Sequence, residues 1–119
     1  MRVQRGDVVL VSLRFSSGTQ VKVRPVLVVQ SDRNNQRLSG TIVAVVTSNV
    51  SRAGREPTQM LVDPSTPEGQ HSGLLRLSAV TCESLHTVLQ ADIRQKIGIL
   101  PKPAMQRVDP CLKAALEIA

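Results

Sequence analysis

The sequence is almost devoid of aromatic residues: Phe15 stands alone among 119 residues, with no Trp and no Tyr. Its core must therefore be aliphatic, and a nucleic acid would have to be held without the aromatic platforms on which single-strand binders usually stack bases. Histidine is nearly as scarce. With only His71 and His86 available, a paired-histidine nuclease depends on the fold bringing those two together. The two cysteines, Cys82 and Cys111, form neither a disulfide framework nor a metal knuckle, and they read as buried free thiols of a reducing cytosol. There is no HExxH, no Gly-rich phosphate loop and no clustering of carboxylates. Asp63, Glu68 and Glu83 are too scattered to build a metal-dependent nuclease, so no metal or other cofactor is expected. No apolar run is long enough to span a bilayer, and Arg2, Arg5 and Asp7 interrupt the N-terminus early. The expectation is a cytoplasmic protein with no membrane partner.

What is present fits one domain over residues 1–119. A chain of this size buries roughly two-thirds of its unfolded surface, and 41% hydrophobic content is enough to fill a core. Fifteen Lys and Arg against nine Asp and Glu leave a net charge of +6, a field that attracts polyanions or an acidic protein.

β-branched runs predict strands over residues 6–13, 23–29, 41–47, 59–62 and 78–83, with 85–88 extending or following the last of them. The third run is nearly continuous in apolar residues and should be buried on both faces. Small polar residues break the pattern at 16–20, 31–40, 48–56 and 65–73, which read as loops. Residues 91–97 predict one or two helical turns ended by Gly98. Asp109 and Pro110 look like an N-cap and first position of a closing helix over about 110–118, with Leu112, Leu116 and Ala115 facing the core. Together these elements describe a mainly β chain, an antiparallel barrel with a C-terminal helix.

By elimination, the chemistry left for an RNA substrate is an arginine, a threonine and a single carboxylate. That set is adequate, because RNA carries its own nucleophile in the 2′-hydroxyl. An arginine fork contacts two phosphate oxygens at once, a threonine adds one directed hydrogen bond, and a carboxylate serves as base if its pKa is raised.

An ordered set of segments resembles the MazF/PemK family of toxin ribonucleases over nearly the whole chain. Arg5-Gly6-Asp7 followed by Val8 to Val11 is similar to the family's opening strand. Arg24-Pro25-Val26-Leu27-Val28-Val29-Gln30-Ser31-Asp32 is similar to its RPVLVVQND motif, with Ser31 in place of Asn, and Val46-Thr47-Ser48 to its VTS segment. Ser72-Gly73-Leu74 and Ser78 to Val80 resemble the stretch before its CDQIRTI-like strand, which here spans Cys82 to Val88. Lys96-Ile97-Gly98 and the stretch Val108 to Leu116 resemble its KIG segment and closing helix.

The resemblance implies an SH3-like antiparallel barrel, a homodimer, and metal-independent cleavage of single-stranded RNA to a 2′,3′-cyclic phosphate and a 5′-hydroxyl. It implies a cognate antitoxin with an acidic, partly disordered segment, and operator DNA reached through the toxin–antitoxin complex. Arg24 matches the motif arginine acting on the phosphate and Thr47 the motif threonine. Glu83 sits where some members carry an aspartate proposed as base. Gln20, Lys22, Ser48 and Arg52 are the expected RNA contacts. The chain departs from the family in a first loop without its glutamate (Gly18-Thr19-Gln20), in Thr81 where some members have arginine, and in His86 where the strand carries arginine or lysine. Two other functions compete: a toxin of the same barrel that binds and poisons DNA gyrase, and a plain RNA-binding barrel. A pure binder needs neither Arg24 nor Thr47 in these motif settings, and the lack of aromatics weakens the RNA-binding barrel.

Overall fold

The computed structural model describes residues 1–14 and 21–119. Six strands form one antiparallel sheet: β1 (Asp7–Arg14), β2 (Val21–Val28), β3 (Gly40–Thr47), β4 (Gln59–Val62), β5 (Ser78–Leu89) and β6 (Gln95–Ile99). Their order across the sheet is β4-β5-β3-β2-β1-β6. The expected mainly β architecture with a terminal helix is present, as a sheet curled into an open barrel.

β3 shows why its sequence lacks alternation. Ala44 and Val46 enter one aliphatic core with Val8, Leu27 and Val80, whereas Val43 and Val45 enter a second core with Val9, Val11 and Val26. A strand covered on both sides needs apolar residues at consecutive positions. The first core is covered by α3 (Lys102–Leu116), through Ala104, Met105, Val108 and Cys111. Burying each such Val or Met contributes roughly 1.5–3 kcal/mol.

Sheet pairing leaves β4 and β6 as edges, and the β4–β5 connection joins them. Ile99 N donates to His71 O at 2.7 Å. The approach is so close that a Cβ on Gly98 would lie 2.3 Å from the backbone carbon of Ser72. One on Gly73 would lie 2.0 Å from Ile97 O, and Gly73 also has φ +73°. Only glycine fits at either position.

Four sequence expectations are corrected. The 31–40 connection contains a helix, α1 (Asp32–Arg37), capped by Ser31, whose side chain accepts from Asn34 N. Ser and Asn are comparable N-caps, which explains why Ser31 can stand at the last step of the RPVLVVQ segment. The short helix is held by buried amides. The Asn35 Oδ1 accepts from Gln30 Nε2 at 2.9 Å and from Thr41 Oγ1 at 2.7 Å. Gln90 Nε2 donates to Asn35 O at 2.9 Å. Second, the 65–73 connection contains a single helical turn, α2 (Pro67–Gln70), capped by the Thr66 side chain, with Pro67 in its first turn.

Third, residues 91–97 are not helical beyond a 3-10 turn at Gln90–Asp92, and Gly98 lies inside β6. Pairing with β1 overrides the local helical preference, and Lys96 Nζ lies 3.2 Å from the buried Asp7 carboxylate. Fourth, α3 begins at Lys102, well before the expected start, and Pro110 sits inside it. Asp109 does not cap the helix but accepts from Arg5 Nη2 at 2.7 Å. Pro110 is tolerated because it and Gln106, whose carbonyl it leaves without its helical donor, both face solvent. Leu112 and Ala115 pack on the core as expected, whereas Leu116 is exposed.

Both cysteines are free and buried, as expected. Burial pushes the Cys82 thiol up to about 12, aided by the neighbouring Cys111 and Glu83 charges and opposed by Arg5. Burial also raises Cys111, with Glu83 adding to it. Neither thiol should react with a thiol-specific dye at neutral pH until the chain is unfolded in denaturant, as absorbance on labelling would show. Gly98→Ala should lower stability by about 1–3 kcal/mol, read as a lower urea midpoint with an unchanged slope.

Candidate active site

The register of the sheet places the first two candidate residues. β2 pairs with β3 only through Val26↔Val45, Leu27↔Ala44 and Val28↔Val43. Pro25 has no N–H to give, and the ladder ends beside it. Carried two residues further, the same register sets Arg24 opposite Thr47, where the two strands have parted. On its other side Arg24 remains paired with Val11 of β1, which keeps its backbone fixed.

The parted ends open a groove of about 470 Å³ lined by Arg24, Pro25, Thr47 and Ser48 from the strand ends. Gly73, Leu74, Leu75 and Arg76 from the β4–β5 connection line its other wall, with Ser78 at the start of β5, Leu10 and Ile97. Arg24 and Thr47 are half-buried and Ser48 is exposed. The Thr47 hydroxyl accepts from Asn49 N at 3.1 Å. Its oxygen is thereby engaged as an acceptor, and its own hydrogen can donate to a group in the groove.

A second, smaller pocket of about 240 Å³ adjoins the first through Thr47 and is lined by Asn49, Ser51, Arg52 and Gln59 as well. Glu83 belongs to this side. Its carboxylate accepts from Thr58 Oγ1 at 3.0 Å and from Gln59 Nε2 at 2.7 Å. Burial pushes the Glu83 carboxyl up, but hydrogen bonds from the Gln59 side chain, its own backbone N–H and Thr58, with the charge of Arg52, outweigh this and hold it below the ordinary carboxylate value. A general base needs the opposite shift. Thus the structure brings Arg24, Thr47 and Ser48 together and sets Arg52 and Glu83 one pocket away.

Lys22 is exposed two residues before Arg24 on β2 and does not line the groove. Gln20 lies outside the described residues. His86 pairs with Val43 at the far half of β5, and neither it nor His71 lines either pocket. Among the described residues no three His, Cys, Asp or Glu side chains gather in a metal-holding group, and no helix is long and apolar enough to cross a membrane. Sequence reasoning missed Arg76 and Gln59. The signal for Arg76 was a lone cation in the Leu74-Leu75-Arg76-Leu77 run, whose Leu75 is 96% exposed.

The motifs that frame this groove match a model of the PemK-like, MazF-like toxin of type II toxin–antitoxin systems over residues 4–116. The chain belongs to this toxin family. It is 33% identical to the endoribonuclease MazF6 of Mycobacterium tuberculosis over 120 residues, covering 99% of this chain and 100% of that protein. It is also 33% identical to the endoribonuclease EndoA of Bacillus subtilis over 119 residues, covering 99% and 97%. Among solved structures, an endoribonuclease bound to its cognate antitoxin from a mycobacterial species aligns with a TM-score of 0.78 at 18% identity, covering 98% of this chain and 97% of that one. A MazE–MazF structure from Deinococcus radiodurans aligns at 0.70 and 19% identity, covering 100% and 99%. The MazF-like fold expected from the sequence is thus the fold observed.

The lowered Glu83 has a checkable sign. A depressed folded-state pKa contributes stability above the unfolded value, and that stability is lost as pH falls through the folded one. A side-chain carboxyl NMR titration should place Glu83 below its ordinary value, and Gln59→Leu should move it upward.

Proposed function

We infer that this MazF-like toxin is an endoribonuclease that cleaves single-stranded RNA within the Arg24–Thr47 groove and arrests growth until an antitoxin covers it. The observation that carries the reading is the convergence of Arg24 and Thr47, from two different strands, on one groove of about 470 Å³. The named activities of the relatives from M. tuberculosis and B. subtilis support it. So does the net charge of +6, which draws a polyanion toward the groove.

In the reaction the ribose 2′-oxygen gives its proton to solvent water and bonds to phosphorus, while the bond from phosphorus to the 5′-oxygen breaks. That oxygen takes up a proton from solvent water, so that no net proton is gained or lost. The products are a 2′,3′-cyclic phosphate and a 5′-hydroxyl. Arg24 supplies a fixed positive charge to the phosphate oxygens as charge grows on them, and the Thr47 hydroxyl adds a directed donor. Ser48 and Arg76 hold the flanking backbone, Arg52 and Lys22 extend the basic track, and Gln20 is a further RNA contact. Glu83, ionised and occupied by Thr58 and Gln59, shapes the neighbouring pocket instead of taking the 2′-proton.

Because Arg24 supplies the charge, cleavage requires no metal. The active form is a homodimer in the cytoplasm. The basic groove suits an acidic antitoxin segment, consistent with relatives solved in complex with theirs. Incubation of the full chain with mixed RNA in EDTA should yield cyclic phosphate and 5′-hydroxyl ends. Arg24→Ala should lose about 10²–10³-fold in rate, as removal of a transition-state donor does. Intact RNA with the unaltered chain overturns the reading.

A further inference from the structure

The wall of the groove is lightly packed. After Ser72 the chain runs through Gly73, Leu74, Leu75, Arg76 and Leu77 to β5 without helix or strand. Leu74 packs on the core, but Leu75 is 96% exposed and Leu77 is exposed as well. Four of these five residues nevertheless line the groove. A segment with so few buried contacts samples many conformations unless other bonds fix it. Two buried serines stand at its ends. The Ser72 hydroxyl donates to Gly69 O at 2.6 Å and accepts from Leu74 N at 3.2 Å. The Ser78 hydroxyl donates to Arg76 O at 2.9 Å. Ser72 is fully buried and Ser78 only 4% exposed, so little water competes for either hydroxyl.

These bonds act on the backbone at both ends of the wall. Ser72 fixes the turn that delivers Gly73 against Ile97. Ser78 is the first residue of β5, and its backbone is held in the ladder opposite Val62. The bond from its side chain to Arg76 O therefore ties the loop to a strand that is already fixed. We propose that Ser72 and Ser78 are positioning residues for RNA binding, which preorder the wall so that Arg76 meets the RNA backbone without the entropy loss of ordering the loop. Neither serine touches the reacting atoms in this role; both act through Arg76. Ordering one backbone residue shifts an equilibrium constant roughly five- to thirtyfold. An interaction made equally in the ground and transition states appears in KM and leaves kcat unchanged.

This role rests on the endoribonuclease reading, and steady-state cleavage of an RNA oligonucleotide by the full chain separates the two. Ser78→Ala should raise KM about tenfold and leave kcat within about twofold. Its urea midpoint should change little, because Arg76 is exposed and its carbonyl takes a water in place of the hydroxyl. Arg76→Ala should raise KM by a similar factor. The double variant should be no worse than Arg76→Ala alone, since a serine that acts through Arg76 then has nothing left to position. A serine with a merely structural role would add its loss in both backgrounds. Ser72→Ala should follow the same pattern. Circular dichroism checks that each variant is folded, and if Ser72→Ala is not, the cycle between Ser78 and Arg76 decides. An unchanged KM in Ser78→Ala or Arg76→Ala, or a further rise in the double variant, overturns the positioning role while the endoribonuclease reading stands. No cleavage by the unaltered chain overturns both.

Discussion

The site depends on two backbones touching where no Cβ fits. The His71–Gly73 segment lies against β6 so closely that Gly73 and Gly98 are the contact surfaces themselves. That contact joins the two edges of a sheet whose strand pairing alone leaves them apart. It also carries Leu74, Leu75 and Arg76 over the parted ends of β2 and β3, converting a splayed pair of strands into a walled groove. If the curl relaxed, Arg24 and Thr47 would still face each other by register, but on an open surface exposed to water. Electrostatic contacts to a phosphate are stronger where walls exclude solvent.

A second layer of organisation comes from single charged residues that tie distant segments together. Arg5 donates through Nε to Val29 O at 3.0 Å and through Nη2 to Asp109 at 2.7 Å, linking the start of β1 to the end of β2 and to α3. Glu83 does the same across the β4–β5 pair, reaching Thr58 and Gln59 from β5. Its electrostatics favour the ionised form: the Gln59 side chain, its own backbone N–H, Thr58 and the charge of Arg52 together outweigh burial. The same influences make it an effective clamp on the Gln59 amide.

Legibility in the sequence followed the range of the interaction involved. β3 and β4 could be read at nearly their observed limits because burial on one or both faces writes itself into apolar spacing. α1 escaped notice because its stability comes from Asn35, Gln30, Thr41 and Gln90 bonding across the fold, which leaves only a polar stretch in the sequence. β6 escaped because an exposed edge strand owes its conformation to β1 and has little hydrophobic pattern of its own. Asp109 and Pro110 misled because a capping pair and an interior proline paired with a long-range ion contact look the same along the chain.

Aliphatic core, basic charge, free thiols and strand order of burial were determined by composition and local pattern, and the motif order determined the toxin family. Arg24 and Thr47 were legible because each sits in a motif of its own. Tertiary structure alone decided that Glu83 is clamped and lowered instead of raised, that Gln59 turns a buried oxygen away from it, and that Arg76 lines the groove. The reason is physical: a pKa or an amide orientation is set by groups within a few ångströms in space, and those groups lie 24 and 25 residues away in the chain at Gln59 and Thr58.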